Sequence, residues 1–272
     1  MSRRFDDAAA FHPAISRRRA LAAAAALLIL PGCGAPGARP EPGESPPPHW
    51  DYDAEGPGHW AELDGRYGVC GSGAGQSPID LGHPTRVAPA DHIDVAYGPV
   101  RGLEVVDTGH TIQANVPAGT GQHVVVDGRR FALTQFHFHA PSEHTIEGAG
   151  AAMELHLVHV AEGGAVAVLG VLLEVSERRS AFGPVLGELP PAGGVRAAAA
   201  LDLREVLPGD LAQFRYTGSL TTPPCTEGVA WTVLRHPVPV GRDEVQRYLT
   251  RFPHTNRPVQ AINGRAVILG GG

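Results

Sequence analysis

The 272-residue chain contains no lysine; all 22 of its cationic side chains are arginine. With 35 glycines and 25 prolines, this reads as compositional bias rather than as a functional signal. No basic cluster follows the N-terminal region and the formal charge is −6, which argues against a nucleic-acid-binding surface. The apolar run Ala20 to Leu30 is too short to span a bilayer as a mature helix. Cysteine is scarce, with three in all. There is no internal repeat, and no second linker divides the chain. What is present in quantity is apolar: 43% hydrophobic residues suffice for one sizeable core, and all-β folds often use 200–250 residues as a single unit.

The N-terminus has the form of an export signal. Ser16-Arg17-Arg18-Arg19 leads into the apolar run, and the arginine pair before Ala20-Leu21 partly matches a twin-arginine signal, leaving the export route open. Leu30-Pro31-Gly32-Cys33 resembles a bacterial lipobox with Cys33 as the acylated residue, although Pro31 is an unusual occupant of its position. The alternative is plain cleavage. Removing residues 1–33 takes away 5 Arg and 2 acids, leaving 17 Arg against 26 acids, or −9. Residues 34–48 are expected to be a disordered Pro/Gly spacer and residues 49–272 one domain. The expected location is the periplasm, or the outer side of the cytoplasmic membrane if Cys33 carries a lipid anchor. Cys70 and Cys225 then remain as an even pair, expected to form a disulfide outside the cytosol; two free thiols are the alternative.

Strand-like runs recur at 93–97, 103–106, 111–116, 123–126, 130–139, 152–160, 165–175, 214–217 and 228–234. Asp127-Gly128 between two of them is a hairpin signal. Two helices are expected, around 180–189 and 243–251, the second with Val245, Leu249 and Phe252 on one buried stripe. The fold class is therefore mainly β: a single domain on a large, mostly antiparallel twisted sheet with a few short peripheral helices.

Two of these runs carry histidines. In Gln135-Phe-His-Phe-His139 the alternation puts His137 and His139 on one face and Phe136 and Phe138 on the other. If Glu154-Leu-His156 pairs alongside, His156 completes a triangle of imidazoles. Three neutral imidazoles with one open position form a recurring catalytic zinc site. A single histidine in an apolar run is more often a satisfied core residue, but several need a shared partner. Gln135 and Glu154, each two residues before a histidine, share its face and are candidates to orient it. His159 faces the other way and is left out of the metal set.

Gln135-Phe-His-Phe-His139, Ser142-Glu-His-Thr145 and Glu154-Leu-His-Leu-Val-His159 resemble the α-class carbonic anhydrases in sequence and order. So do Gln76-Ser-Pro-Ile-Asp80, Gly109-His-Thr111, Ser219-Leu-Thr-Thr-Pro-Pro224 and Arg257-Pro-Val-Gln260, over about residues 49–269. The resemblance implies one zinc ion per chain on His137, His139 and His156, and reversible hydration of carbon dioxide to bicarbonate by a zinc-held hydroxide. It implies that Thr221 contacts the hydroxide, that Glu143 accepts from Thr221, and that His110 shuttles the proton. Thr222 and Gln113 would border the substrate pocket, with Val158, Val168, Leu220 and Trp231 as its apolar wall. Cys70 and Cys225 stand where bacterial members carry a disulfide. The chain departs from the family at Ala140, where an aromatic is common, at Gln113, often Asn, and at Thr255, usually Asn.

Two rivals remain. His137-x-His139-x₃-Glu143 also matches the metal core of a cupin-type oxygenase, in which Glu143 would be a ligand, but the later glycine and histidine block of that family is missing. A catalytically silent, carbonic-anhydrase-like binding module is the non-enzyme reading, and such proteins typically lose a zinc histidine. Oligomeric state is open, a dimer among the alternatives.

Overall fold

The computed structural model describes residues 46–271 except 90, 92, 178 and 179. The expected export signal, Cys33 and the spacer as far as residue 45 lie outside the described residues. Those described form fourteen strands: β1 Arg86–Ala88, β2 Asp94–Ala96, β3 Pro99–Val100, β4 Glu104–Asp107, β5 Ile112–Asn115, β6 His123–Val126, β7 Arg129–His139, β8 Met153–Val160, β9 Val166–Ser176, β10 Val195–Ala197, β11 Leu201–Asp202, β12 Gln213–Ser219, β13 Glu227–Gly241 and β14 Ile268–Gly270. The helices are short: α1 Trp60–Leu63, α2 Val69–Ser72, α3 Gly183–Leu186 and α4 Arg242–Leu249.

Twelve strands join in one sheet with the path β1-β14-β12-β13-β9-β8-β7-β5-β4-β10, and β6 carries β2 beside β7. The pairings are antiparallel except β1 with β14 and β9 with β13. The nine expected strands are present. The short strands β1, β10 and β14, and the two-stranded β3–β11 pair, are additions that too few residues announce. The Asp127-Gly128 hairpin forms with φ of 49° and 73° and Val126 opposite Arg129, the two positive φ angles that a tight primed turn requires.

The sheet has two apolar sides. Phe136 and Phe138 are fully buried in the larger cluster with Leu155, Leu157 and Val171, each worth about 2–3 kcal/mol in transfer free energy. The smaller cluster on the other side holds Val158, Val168, Trp231 and Val233. Strand β7 changes sides along its length. Leu133 pairs with His159 but Gln135 pairs with Val158, so Thr134 is an extra residue, a β-bulge. Phe131 and Leu133 before it, and Phe136 and Phe138 after it, all reach the larger core. The bulge therefore frees Gln135, His137 and His139 to face the other side.

The helices differ from the expectation. The segment 180–189 makes only one helical turn, Gly183–Leu186, closed by Gly187 and Pro190-Pro191. In α4 the buried stripe is Val245, Tyr248 and Phe252, while Leu249 is 37% exposed. Tyr248 takes the inner position because its hydroxyl donates to the Phe138 carbonyl at 2.8 Å and bonds Thr111 and Thr255.

Cys70 and Cys225 form a disulfide across a sequence separation of 155 residues. Closing a loop of that length removes unfolded-state entropy worth about 4–5 kcal/mol in the chain-entropy model. Replacing both cysteines by serine should lower the melting midpoint by about 10 °C, at ~2–4 °C per kcal/mol for a domain of this size. Calorimetry of the variant checks this, and an unchanged midpoint would show that the loop is restrained by other contacts.

Candidate metal centre

Cross-strand register assembles the site. His137 lies directly opposite His156, Gln113 is opposite His137 on the far side, and Gly170 is opposite His156. These form one row across β5, β7, β8 and β9. The neighbouring row runs Asn115, Gln135, Val158, Val168 and Trp231. Imidazoles in one row and an apolar wall in the next follow from pairing alone. Gly170 is required by close approach: a Cβ there would meet Glu154 Oε1 at 3.0 Å.

Each histidine uses one ring nitrogen on an acceptor. His137 Nδ1 donates to Gln135 Oε1 at 2.8 Å, His139 Nδ1 to the Thr255 carbonyl, and His156 Nε2 to Glu154 Oε1 at 2.9 Å. The remaining nitrogens, Nε2 of His137 and His139 and Nδ1 of His156, are left as lone-pair donors. One ligand-type nitrogen from each of the three rings lies within 4.8 Å of the others. His139 Nε2 is buried with no hydrogen-bond partner, a costly state unless something binds it. These residues fit a metal ion.

Around them lies a buried polar network. Glu154 accepts from His156, from His144 Nδ1 at 2.7 Å, and from the backbone N–H groups of Glu143 and His144 at 2.9 and 2.8 Å. Tyr216 closes the other end on His144 Nε2 at 2.7 Å. Burial disfavours the Glu154 carboxylate, but the charges and hydrogen bonds of His144 and His156 outweigh it and hold its pKa well below the usual range. Glu143 is pushed up to about 7, chiefly by burial. Its Oε1 accepts from the Arg257 N–H at 2.8 Å, while Oε2 has no donor of its own and lies 3.6 Å from His139 Nε2. Thr221, also buried, is near enough to favour the ionised carboxyl, a smaller effect than those of burial, His156 and Arg257.

The histidines floor a pocket of about 70 Å³. Val158, Val168, Leu220 and Trp231 line it together with Gln113, Thr221 and Thr222, so the residues expected at the site come together. Gln113 is turned aside to Asn115, donating to Oδ1 at 2.7 Å. His110 lines the mouth, its ring stacked on Trp50 with centroids 3.8 Å apart and planes 7° from parallel.

The family model for eukaryotic-type carbonic anhydrase matches residues 55–270. A carbonic anhydrase of Klebsiella pneumoniae is 41% identical over 228 residues, covering 81% of this chain and 90% of that protein. The chain belongs to the α-carbonic anhydrases. The α-carbonic anhydrase of Thermovibrio ammonificans, solved with the inhibitor sulfanilamide, is 40% identical with a TM-score of 0.76, covering 81% of this chain and 99% of that one. Dioscorin, solved with ascorbate, has a TM-score of 0.74 at 26% identity, covering 81% and 97%.

Carbonic anhydrase membership and an open sheet ending at β1 and β10, not a closed barrel, remove the cupin alternative. Sequence reasoning missed several contributors. Thr255 stood out only as a departure, yet its carbonyl orients His139 and its hydroxyl accepts from the Ala140 N–H at 3.0 Å. Arg257, His144, Trp50 and Tyr52 also went unassigned. Backbone donors and carbonyls leave no mark in a sequence, whereas a buried acid such as Glu154 could have prompted a search for a second histidine.

The pKa shifts fix how metal-free stability varies with pH. His139 is held at about 4 and His159 at about 3, mainly by burial, and His137 and His156 are lowered for the same reason. Below the usual 6.5 the unfolded chain binds protons that the folded chain refuses, so stability falls as pH drops toward about 4. Glu143 opposes this between 4.5 and about 7, but it is one group against four. The melting temperature of the metal-free protein should decline steadily from about pH 7 to about pH 4.5. A flat profile would place the histidines in contact with solvent.

Proposed function

We propose that this chain is a zinc enzyme hydrating carbon dioxide reversibly to bicarbonate and a proton, with His110 carrying the proton away. The observation that supports it best is the buried, unpartnered His139 Nε2, grouped with the free nitrogens of His137 and His156 at the floor of an apolar pocket. His137, His139 and His156 would hold the ion. Zinc so bound would lower the pKa of its water from 15.7 to about 7, the value established for carbonic anhydrases themselves.

The chain's own residues do the rest. Their three outer hydrogen bonds keep the imidazoles in the tautomers that leave the inner nitrogens free. The Val158, Val168, Leu220 and Trp231 wall gives carbon dioxide an apolar place to rest and offers ordered water little to bond. A cation nearby would draw the raised Glu143 pKa back down, leaving a carboxylate to accept the Thr221 proton. The Thr221 oxygen can then only accept, which directs the lone pair of the attacking oxygen at the substrate carbon. His110 has its pKa lowered by burial first and by His49 second, which favours prompt release of a proton it receives.

The Cys70–Cys225 disulfide suits an oxidising compartment and supports reading residues 1–33 as an export signal. Among the described residues no helix is long and apolar enough to cross a membrane. Mass spectrometry of the mature N-terminus distinguishes an acylated Cys33 from plain cleavage.

The purified protein should contain one zinc per chain and hydrate carbon dioxide, and sulfanilamide should block it. His139→Ala should lose the metal. Thr221→Ala should keep it while turnover falls on the order of 100-fold, as for loss of one oriented polar contact. His110→Ala should slow turnover in weak buffer, leave zinc content intact and recover with added imidazole. Stoichiometric zinc without hydration would favour the binding-module reading.

A further inference from the structure

The described chain begins with a strap, residues 46–50, laid beside the mouth of the pocket. Its position is fixed at several points. Arg66 Nη2 donates to the Pro46 carbonyl at 3.2 Å and the Tyr67 hydroxyl donates to that of Pro48 at 3.3 Å. Just beyond the strap, Trp60 Nε1 donates to the Asp51 carbonyl at 2.9 Å. Trp50 is 5% exposed, packed edge-on against Trp60 and Tyr52, and offers its face to His110. One side of the His110 imidazole is thus sealed, and a proton on that ring has fewer directions in which to leave.

His49 lies in the open direction. Its side chain is exposed, and its ring centroid is 6.0 Å from that of His110, with the planes 29° apart. A carboxylate oxygen of Asp51 is within 4.8 Å of a His49 ring nitrogen.

We propose that His49 is a second proton carrier, taking the proton from His110 and delivering it to solvent. This rests on the shuttle reading of His110. One bridging water can span rings whose centroids are 6.0 Å apart. His110 imidazolium gives its proton to that water, which gives one of its own to His49. His110 returns to neutral imidazole and His49 imidazolium releases the proton to a buffer base, so charge and protons balance at each transfer. The groups facing His110 support the direction. His49 lowers its pKa, so the pair resists holding two protons at once, while Asp51 and Asp107 favour the charged ring. Asp107 is tied to Arg251 at 2.6 Å and buried, whereas Asp51 lies on the His49 side. The attraction that survives therefore points outward.

The test is carbon dioxide hydration by the zinc-loaded full chain and its His49→Ala, His110→Ala and double variants, in dilute and in concentrated imidazole buffer. His49 is exposed, so its loss leaves the fold intact. Expected for His49→Ala is a fall in kcat on the order of three- to tenfold in dilute buffer, well below the full worth of a general acid–base group. The fall should vanish in concentrated imidazole, with kcat/KM unchanged throughout. In series, the double variant should be no slower than His110→Ala alone. Wild-type kcat for His49→Ala in dilute buffer, or independent losses that multiply in the double variant, would overturn the relay while leaving the shuttle standing. Wild-type kcat for His110→Ala would overturn the shuttle reading itself, and the relay with it.

Discussion

One extra residue in β7 decides which side of the sheet the chemistry occupies. Without the bulge at Thr134, strict alternation from Phe131 and Leu133 would send Gln135, His137 and His139 into the larger apolar core. The bulge is held rather than merely tolerated: the Thr134 hydroxyl donates to the Val158 carbonyl at 3.0 Å, and its own carbonyl accepts from the Val116 N–H at 2.9 Å. The two carbonyls involved, of Thr134 and Val158, are thus both satisfied locally. Everything downstream follows from that half-turn, including the register that sets His137 against His156 and Gln135 against Val158.

A sheet that presents polar groups to a buried face must satisfy them without water. Glu154 is the centre of that solution here. It sits opposite His139, receives four hydrogen bonds, and keeps its charge although it is fully buried. Removing any donor would leave part of a buried carboxylate unpaired, which is why such networks are costly to alter piecemeal. The same carboxylate fixes the His156 tautomer and holds the turn that bears Glu143. The pocket floor and its acid are thereby set by a single side chain.

Much of this was legible in the sequence because it follows a period of two. Alternation gave nine strands and placed three histidines, Gln135 and Glu154 on a common face, and it sent His159 to the opposite side, where its ring meets Tyr97; the apolar wall came only from the family resemblance. The family motifs supplied Thr221, Glu143 and His110. Periodicity could not reveal the bulge, since inserting one residue looks like noise in a short run. Neither could it reveal the Thr255 carbonyl or the Arg257 N–H, which any residue type could provide. The α4 stripe misled for a related reason: Leu249 is the more apolar side chain, but Tyr248 wins the interior because its hydroxyl finds partners there. Hydrophobicity ranks residues one at a time, and the fold ranks sets of contacts.

The third apolar cluster joins parts that the sheet alone would leave separate. Trp50, Trp60, Tyr67, Cys70 and Cys225 pack together away from the two main cores. At one end Trp50 bears on His110. At the other, Cys225 terminates the loop carrying Thr221 and Thr222, its N–H donating to the Thr222 carbonyl at 2.9 Å. Arg257, buried beneath, donates to the Cys70 carbonyl and to Gln76 and Ser77 at 2.7–2.8 Å, while its backbone holds Glu143. The strap, the disulfide and the Glu143–Thr221 region are therefore one mechanical unit laid over the open side of the sheet. In the proposed function the sheet supplies the metal-binding histidines with the rigidity of paired strands, and the cluster holds the groups aimed at the substrate and its departing proton. Under the proposed function, a fault in either would be felt at a different step: in the sheet as loss of metal, in the cluster as slow turnover with the metal still bound.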